Sequence, residues 1–218
     1  YKEEHISYSV GELENKNWNE EWEKNFDPVM VEDKVAIRAS FHPASGLPLE
    51  IIINPKMSFG TGHHETTYMM VQNQLEIDHK DKLVMDAGSG TGVLAILACK
   101  LGAKQILAFD VEDWAFENLQ ENVKLNNCSV VIPAKGDITQ VNHLAENYDI
   151  ILANINKNVL LKEMPLYARY LKQGGTLILS GFYEEDIEDI QNSAFTHSLD
   201  FVARKLRNRW ASLVFQKA

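Results

Sequence analysis

The chain has 218 residues, with 21 Lys and Arg against 31 Asp and Glu, giving a formal net charge of −10. Hydrophobic residues make up 45% and charged residues 24%, an ordinary globular composition that excludes disorder, collagen-like repeats and a disulfide scaffold. The acidic balance opposes direct DNA binding, which needs phosphate-facing Lys and Arg, and fits a small or basic partner.

No apolar run approaches the ~18 residues of a spanning helix, and no charged-then-apolar leader opens the chain, so a cytoplasmic protein away from the membrane is expected. Cys99 and Cys128 have no metal-ligand spacing around them and read as reduced thiols. The chain opens at Tyr1 inside an alternating stretch, His5-Ile6-Ser7-Tyr8-Ser9-Val10, which predicts a strand. The residues that follow supply no partner for it, so further chain upstream is expected. Trp18, Trp22 and Phe26 come next at i, i+4 and i+8, a stripe that predicts a short linking helix ended by Asp27-Pro28. Residues 1–30 are expected to be the remnant of an N-terminal domain with its linker, and residues 31–218 the main domain.

Two extended runs, 35–39 and 49–53, open that domain, and a helix is predicted over about 65–75. From Lys82 onward strands at 83–85, 105–109, 130–134, 148–153 and 176–180 are interleaved with helices at 93–101, 113–125, 159–171 and 184–193. This alternation predicts an α/β fold, a doubly wound and mostly parallel sheet with right-handed crossovers. Runs 201–206 and 210–215, joined by Arg207-Asn208-Arg209, predict a C-terminal antiparallel hairpin that brings the sheet to seven strands.

The sharpest motif is Asp86-Ala87-Gly88-Ser89-Gly90-Thr91-Gly92, between the first parallel strand and a helix. Gly88 and Gly90 let the backbone turn tightly and approach a ligand, although a plain strand-to-helix turn would use them too. Ligands of open α/β sheets bind at the carboxyl ends of the strands, where this loop sits. A phosphate-binding P-loop would end in Gly-Lys-Ser/Thr, and here Gly92 is followed by Val93 and Leu94. A dinucleotide fingerprint needs a further Gly or Ala where Val93 stands. What remains is glycine at every second residue behind Asp86, which resembles the cofactor loop of class I S-adenosylmethionine-dependent methyltransferases.

Other residues supply anchors around that loop. Asp110 ends the second strand, 24 residues after Asp86, where it would accept hydrogen bonds from a ribose diol or cap the next helix. Gly136-Asp137 follows the third strand and reads as a contact near a base or as a routine turn. His63-His64-Glu65 are adjacent, about 100° apart on a helix instead of on one face, so no metal site is expected. The surrounding segment, 55–67, reads as a cover that closes over a bound cofactor. Ala153-Asn154-Ile155-Asn156 ends the fourth strand, where reacting groups meet in such folds, and Asn154 would either hold an amine or cap the following helix.

The segments Phe59-Gly60-Thr61-Gly62-His63-His64-Glu65-Thr66-Thr67, Asp86 to Ile96, Ala153-Asn154-Ile155 and Leu179-Ser180-Gly181-Phe182 resemble the ribosomal protein L-eleven methyltransferases, the PrmA family. The resemblance runs from about Asn17 to Phe215. It implies a Rossmann-like sheet and transfer of methyl groups from S-adenosylmethionine to lysine and N-terminal amines of a large-subunit ribosomal protein. Carried over by position, Thr67, Gly88, Asp110 and Asn154 match the family's cofactor contacts, and Phe59 with Gly60 its cofactor-covering loop. Asp86, Gly90 and Asp137 complete the expected cofactor site, and Asn154 is the expected catalytic residue, orienting the amine through its side-chain oxygen. The family's N-terminal recognition domain would be represented here only by the strand near Ile6 to Val10. A monomer is expected.

Rival readings are a methyltransferase of the same class acting on another protein or a nucleic acid, a nicotinamide oxidoreductase, and a non-catalytic binding module. Amide-directed relatives carry Asn-Pro-Pro-Tyr after the fourth strand, where this chain has Asn154-Ile155-Asn156-Lys157. Val93 and the terminal hairpin count against nicotinamide. His63 and His64 are candidates for a general base by residue type alone.

Overall fold

The computed structural model describes residues 27–54, 64–142 and 147–218; the strand at 6–10, the helix at 18–26 and the loop residues Phe59, Gly60 and His63 lie outside them. A small three-stranded sheet comes first. β1 (Val29–Val31) pairs antiparallel with β2 (Val35–Ala39), which pairs in parallel with β3 (Leu49–Ile53). The strand at Val29 extends the ordered sheet just ahead of the boundary expected near residue 31.

The helix α1 (Glu65–Leu75) leads into the main sheet. Its elements are β4 (Leu83–Ala87), α2 (Val93–Lys100), β5 (Gln105–Asp110), α3 (Asp113–Leu125), β6 (Val131–Lys135), β7 (Tyr148–Asn154), α4 (Lys157–Tyr170), β8 (Leu171–Tyr183), α5 (Ile187–Phe195), β9 (Leu199–Arg207) and β10 (Trp210–Lys217). Strand order is β6-β5-β4-β7-β8-β10-β9, parallel from β6 to β8, with β10 antiparallel to both β8 and β9. The seven-stranded, mostly parallel sheet with its closing hairpin is the expected one.

Three boundaries differ from the expected pattern. β8 begins at Leu171, directly after α4, where Leu171 pairs with Tyr148; Lys172 to Gly175, with Gly174 at φ +73°, form an irregularity that carries too little apolar side chain to signal a strand, and pairing resumes at Thr176. The expected helix at 184–193 is a 3₁₀ turn, Glu184–Asp186, followed by α5. The hairpin turn is Asn208-Arg209 alone, both with positive φ (47° and 67°), the pairing of a two-residue turn matched to strand twist.

Alternation along the strands splits the core in two. Val84, Ile106, Ile150, Leu152 and Ile178 face α2, α3 and the small sheet, whose Val35, Ile37, Ile51 and Ile53 join the same apolar cluster. Met85, Leu107, Ile151, Leu177 and Leu179 face α4 and α5, packing on Leu160, Met164, Tyr167 and Ile190. Both faces of β4, β5 and β7 are therefore buried, which is why these strands read as continuous apolar runs.

The small sheet is fastened to the large unit by Asn118, Asn122 and Asn126, at i, i+4 and i+8 on α3. Asn126 takes the Ile52 N–H at 2.9 Å and donates to the Ile52 carbonyl at 2.6 Å. Asn122 accepts from the Asn54 N–H at 2.7 Å, and Asn118 donates to the Asn54 carbonyl at 3.0 Å. Asn122 Nδ2 also donates to the Thr91 carbonyl at 2.8 Å, so one ladder satisfies the outer edge of β3 and steadies the glycine loop.

Candidate active site

A cavity of about 450 Å³ opens at the carboxyl ends of β4, β5 and β7. Chain order reverses there: β5 and β6 lie to one side of β4, β7 and β8 to the other. A crevice at this switch point follows from the topology.

The glycine loop forms one wall through Gly88, Ser89 and Gly90. Its conformation is held from β5: the Ser89 N–H donates to the Phe109 carbonyl at 2.9 Å and the Gly90 N–H to Asp110 Oδ2 at 2.9 Å. Asp110 Oδ1 accepts from the Glu112 N–H at 3.1 Å. Each carboxylate oxygen therefore carries one bond and keeps accepting capacity toward the cavity. Asp110 does not cap α3, whose N-cap is Glu112. At Gly88, φ is +67° and a Cβ would overlap the Ile155 side chain on the facing wall, so this close approach requires glycine.

Asp86 is not brought to the cavity, which corrects its expected role as a cofactor contact. It is fully buried behind the loop, where Oδ2 accepts from the Ala95 N–H at 3.1 Å in the first turn of α2. Oδ1 has no partner among the described residues. Burial pushes its pKa up to about 7, with the neighbouring Asp110 charge adding and the Ala95 hydrogen bond opposing.

Asp137 lines the cavity beyond β6, and its Oδ1 accepts from both the Thr139 N–H (2.8 Å) and the Thr139 hydroxyl (2.6 Å). Those bonds hold its pKa below the ordinary carboxylate value. The carboxylate closes its own turn, so the turn reading describes its hydrogen bonds even though the residue faces the site.

On the opposite side Asn154 ends β7, and its Nδ2 donates to Thr67 Oγ1 of α1 at 3.4 Å. That bond fixes the amide so that Oδ1, buried and without a partner among the described residues, is left as an acceptor. The cap of α4 is Asn156, whose Oδ1 accepts from the Val159 N–H at 3.2 Å. Asn154 is thereby released from the capping role, and Thr67 and Asn154 both face the cavity.

His64 stands at the mouth as N-cap of α1, its Nδ1 accepting from the Thr66 N–H at 3.3 Å. A backbone N–H can only donate, so the neutral imidazole carries its proton on Nε2. Burial lowers its pKa, which keeps it neutral near pH 7. Among the described residues no group of three His, Cys, Asp or Glu is placed to hold a metal ion.

Several lining residues went unrecognised in the sequence. Trp210 lies edge-on to His64 (4.6 Å between centroids) and is tilted over Tyr183 at 4.1 Å. Val111 and Trp114, 57% and 47% exposed, flank the outer end of β5. Val159 and Glu163, one turn apart on α4, face the cavity, with the Tyr167 hydroxyl donating to Glu163 Oε2 at 2.6 Å. Gly181 sits at the bulge where β8 slips register against Ala211 and Ser212 of β10. The i, i+4 spacing of Val159 and Glu163 was readable, but nothing marked that face as facing a cavity instead of solvent. Asp110, Asp137 and Glu163 line the cavity, and no Lys or Arg does among the described residues.

The family model described as ribosomal protein L11 methyltransferase (PrmA) matches residues 1–218. The chain belongs to the ribosomal protein L11 methyltransferase family. It is 47% identical over 201 residues to the ribosomal protein L11 methyltransferase of Porphyromonas gingivalis, covering 91% of this chain and 69% of that one. To the Phocaeicola vulgatus protein of the same name it is 42% identical over 212 residues, 96% of this chain and 75% of that one. Among solved structures, the ribosomal protein L11 methylase of Lactobacillus delbrueckii subsp. bulgaricus superposes with a TM-score of 0.79 at 27% identity, covering 88% of this chain and 99% of that chain. A methyltransferase from Pyrococcus furiosus, at 19% identity and a TM-score of 0.59 over 69% of this chain and 81% of that one, shares the fold.

Proposed function

We propose that the chain transfers methyl groups from S-adenosylmethionine to lysine and N-terminal amines of ribosomal protein L11. The observation that carries this reading is the charge of the cavity: three carboxylates and no basic side chain among the described lining residues. Such a wall repels the phosphates of a nicotinamide dinucleotide and attracts a ligand that is cationic and rich in hydrogen-bond donors. S-adenosylmethionine is both, with a sulfonium, an α-amine, a ribose diol and an adenine amine. When bound it supplies a methyl group that an amine nitrogen takes by in-line displacement, the departing sulfur keeping the bond pair.

The chain's own part is binding, orientation and exclusion of water. Asp110, with accepting capacity on both oxygens, takes the ribose diol. Gly88, Ser89 and Gly90 present bare backbone to the methionine portion. Asn154 Oδ1 accepts a hydrogen bond from the incoming amine and so aims its lone pair, while Thr67 keeps the amide from flipping. Positioning of this kind supplies much of the rate. The amine must arrive neutral, and the site favours that form because burial penalises an ammonium ion. His64 is not assigned as the base, since its Nδ1 is committed to the cap. The ammonium proton therefore passes to solvent before attack. Residues 1–30 are assigned to an N-terminal recognition element, with the methyltransferase domain beyond it. Phe59 and Gly60 are assigned to the cover over the cofactor. The protein acts in the cytoplasm as a monomer.

The deciding experiment is calorimetric titration with S-adenosylhomocysteine and, separately, NAD, followed by transfer of isotope-labelled methyl to purified L11. The expected result is binding of S-adenosylhomocysteine alone and labelling of L11. Binding of NAD alone would overturn the reading.

A further inference from the structure

We propose that Cys99 and Cys128 form an oxidative modification site, a dithiol that hydrogen peroxide converts to an internal disulfide joining α2 to the turn after α3. Cys99 is the penultimate residue of α2, and Cys128 follows the end of α3 by three residues. Neither lines the cavity, which takes its glycine loop from the opposite end of α2.

Packing brings the two sulfurs together. Cys128 is 2% exposed, and its Sγ lies 4.0 Å from the carbonyl oxygen of Ile96, one turn before Cys99 on α2. A helical side chain leans over the turn that precedes it, so the Cys99 thiol covers the surface on which Cys128 Sγ rests. The two thiols are hydrogen-bonded there, Cys128 donating to Cys99 Sγ. The Cys128 backbone is anchored at the same place: its N–H donates to the Val123 carbonyl at 3.1 Å, and its carbonyl accepts from the Val131 N–H at 3.0 Å.

The pair is unequal in two respects. Cys99 is only partly buried and open to a small oxidant, whereas Cys128 is enclosed. The hydrogen bond from Cys128 lowers the Cys99 pKa to about 7, with burial opposing and the Lys100 charge assisting, so a thiolate is present near neutral pH. The same bond and burial push the Cys128 thiol above its ordinary value. Cys99 therefore attacks and Cys128 resolves. In the first step the Cys99 sulfur bonds to one peroxide oxygen as the O–O bond breaks, and the departing hydroxide takes a proton to become water. Cys99 is then a sulfenic acid. In the second step the Cys128 sulfur bonds to the Cys99 sulfur, the S–O bond breaks, and the Cys128 thiol proton leaves with the hydroxide as water. The two thiols are oxidised to one disulfide while one peroxide is reduced to two waters.

The test treats the whole chain with hydrogen peroxide near neutral pH and maps its peptides by mass. Wild type should yield the Cys99 and Cys128 peptides joined, about 2 Da lighter than the two thiols together and separated again by dithiothreitol. Cys128→Ala should stop at a Cys99 sulfenic acid, captured by dimedone, and should raise the pH midpoint of Cys99 alkylation, since the donated hydrogen bond is gone. Cys99→Ala should leave Cys128 a thiol under the same treatment. The cross-linked wild type should melt higher than the reduced chain, because the bond closes a loop of about 30 residues in the unfolded state. Oxidation of wild-type Cys99 to a sulfinic acid with Cys128 still a thiol overturns the proposal, as does equal oxidation of Cys128 in Cys99→Ala. A cross-linked chain that melts lower than the reduced one would mean that the sulfurs meet only in an opened state, and overturns it too.

Discussion

Gly181→Ala tests how the site is shaped by one backbone crossing. Gly181 has φ +98°, and a Cβ there would overlap the Ile155 carbonyl oxygen and sit 2.7 and 2.8 Å from its carbonyl carbon and amide nitrogen. These are backbone atoms at the exit of β7, between Asn154 and the cap Asn156, and cannot swing aside as a side-chain tip can. The strain of a β-carbon at positive φ is about 1–2 kcal/mol, and overpacking against rigid neighbours adds about 1–3 kcal/mol. A loss of about 2–5 kcal/mol is expected, which for a domain of this size lowers the melting temperature by about 5–15 °C. Gly46→Ala is the internal control: φ is +75° there but nothing lies within 4 Å of the added Cβ, so only the conformational cost of about 1 kcal/mol applies. Differential scanning fluorimetry of both variants, with and without S-adenosylhomocysteine, reads the difference. Because Ile155 lines the cavity, Gly181→Ala should also lose ligand-induced stabilisation while Gly46→Ala keeps it. Equal melting temperatures for the two variants would refute the close crossing.

Asn154→Ala should cut the turnover of L11 methylation by about 100-fold or more while changing S-adenosylhomocysteine affinity by less than about tenfold, read from single-turnover labelling beside calorimetry. Asn122→Ala strips partners from the Asn54 N–H and the Thr91 carbonyl together, so denaturant unfolding should show a loss of about 2–4 kcal/mol and calorimetry a weaker cofactor site. Asp86, with its folded pKa raised by burial to about 7 from the ordinary value of 3.8, favours the folded state fully below pH 3.8 and progressively less as pH rises through 7. Asp86→Asn, which keeps an acceptor for the Ala95 N–H, should therefore gain stability over wild type between pH 5 and pH 8, up to about 4 kcal/mol; a constant difference across that range would show that the carboxyl is not neutral in the fold. His79 is buried, its pKa lowered by burial and its Nε2 without a partner among the described residues. Wild-type stability should fall as pH drops below 6.5, and His79→Gln should flatten that slope in pH-dependent urea unfolding.

The order of elements was legible because parallel strands buried on both faces leave unbroken apolar runs, and Leu83, Ile106 and Ile150 stand in such runs. Boundaries were less so: the Lys172 to Gly175 stretch of β8 is polar and glycine-rich, and it forms an irregularity between the Tyr148–Leu171 and Ile150–Thr176 pairs that no apolar alternation marks. Within the site, the loop Gly88 to Gly90 and the residues Asp110, Asp137 and Asn154 could be found, since each lies at or just beyond the carboxyl end of a parallel strand. Asp86 belongs to the same motif, yet its side chain turns inward, because successive residues at a strand end point to opposite faces and only one of these faces opens on the ligand.

The residues that escaped notice reach the cavity from elements whose approach is decided by tertiary packing. Glu163 is a helix residue in the second turn of α4, and its spacing from Val159 would serve a solvent face equally well. What distinguishes it is the hydroxyl of Tyr167 underneath, and that contact becomes meaningful only once β6 and α4 are seen to flank one end of the same crevice. Trp210 arrives through β10, the last strand in the chain, and meets His64 only because the hairpin inserts beside β8. The distinction is physical: residues at the carboxyl ends of parallel strands are placed by topology, which alternating sequence patterns report. Residues on crossing helices and hairpins are placed by packing, which only the folded arrangement reports. The residues that point to the cofactor class therefore lie in the first group, and side chains such as Glu163 and Trp210, which line the cavity from a helix and a hairpin, in the second.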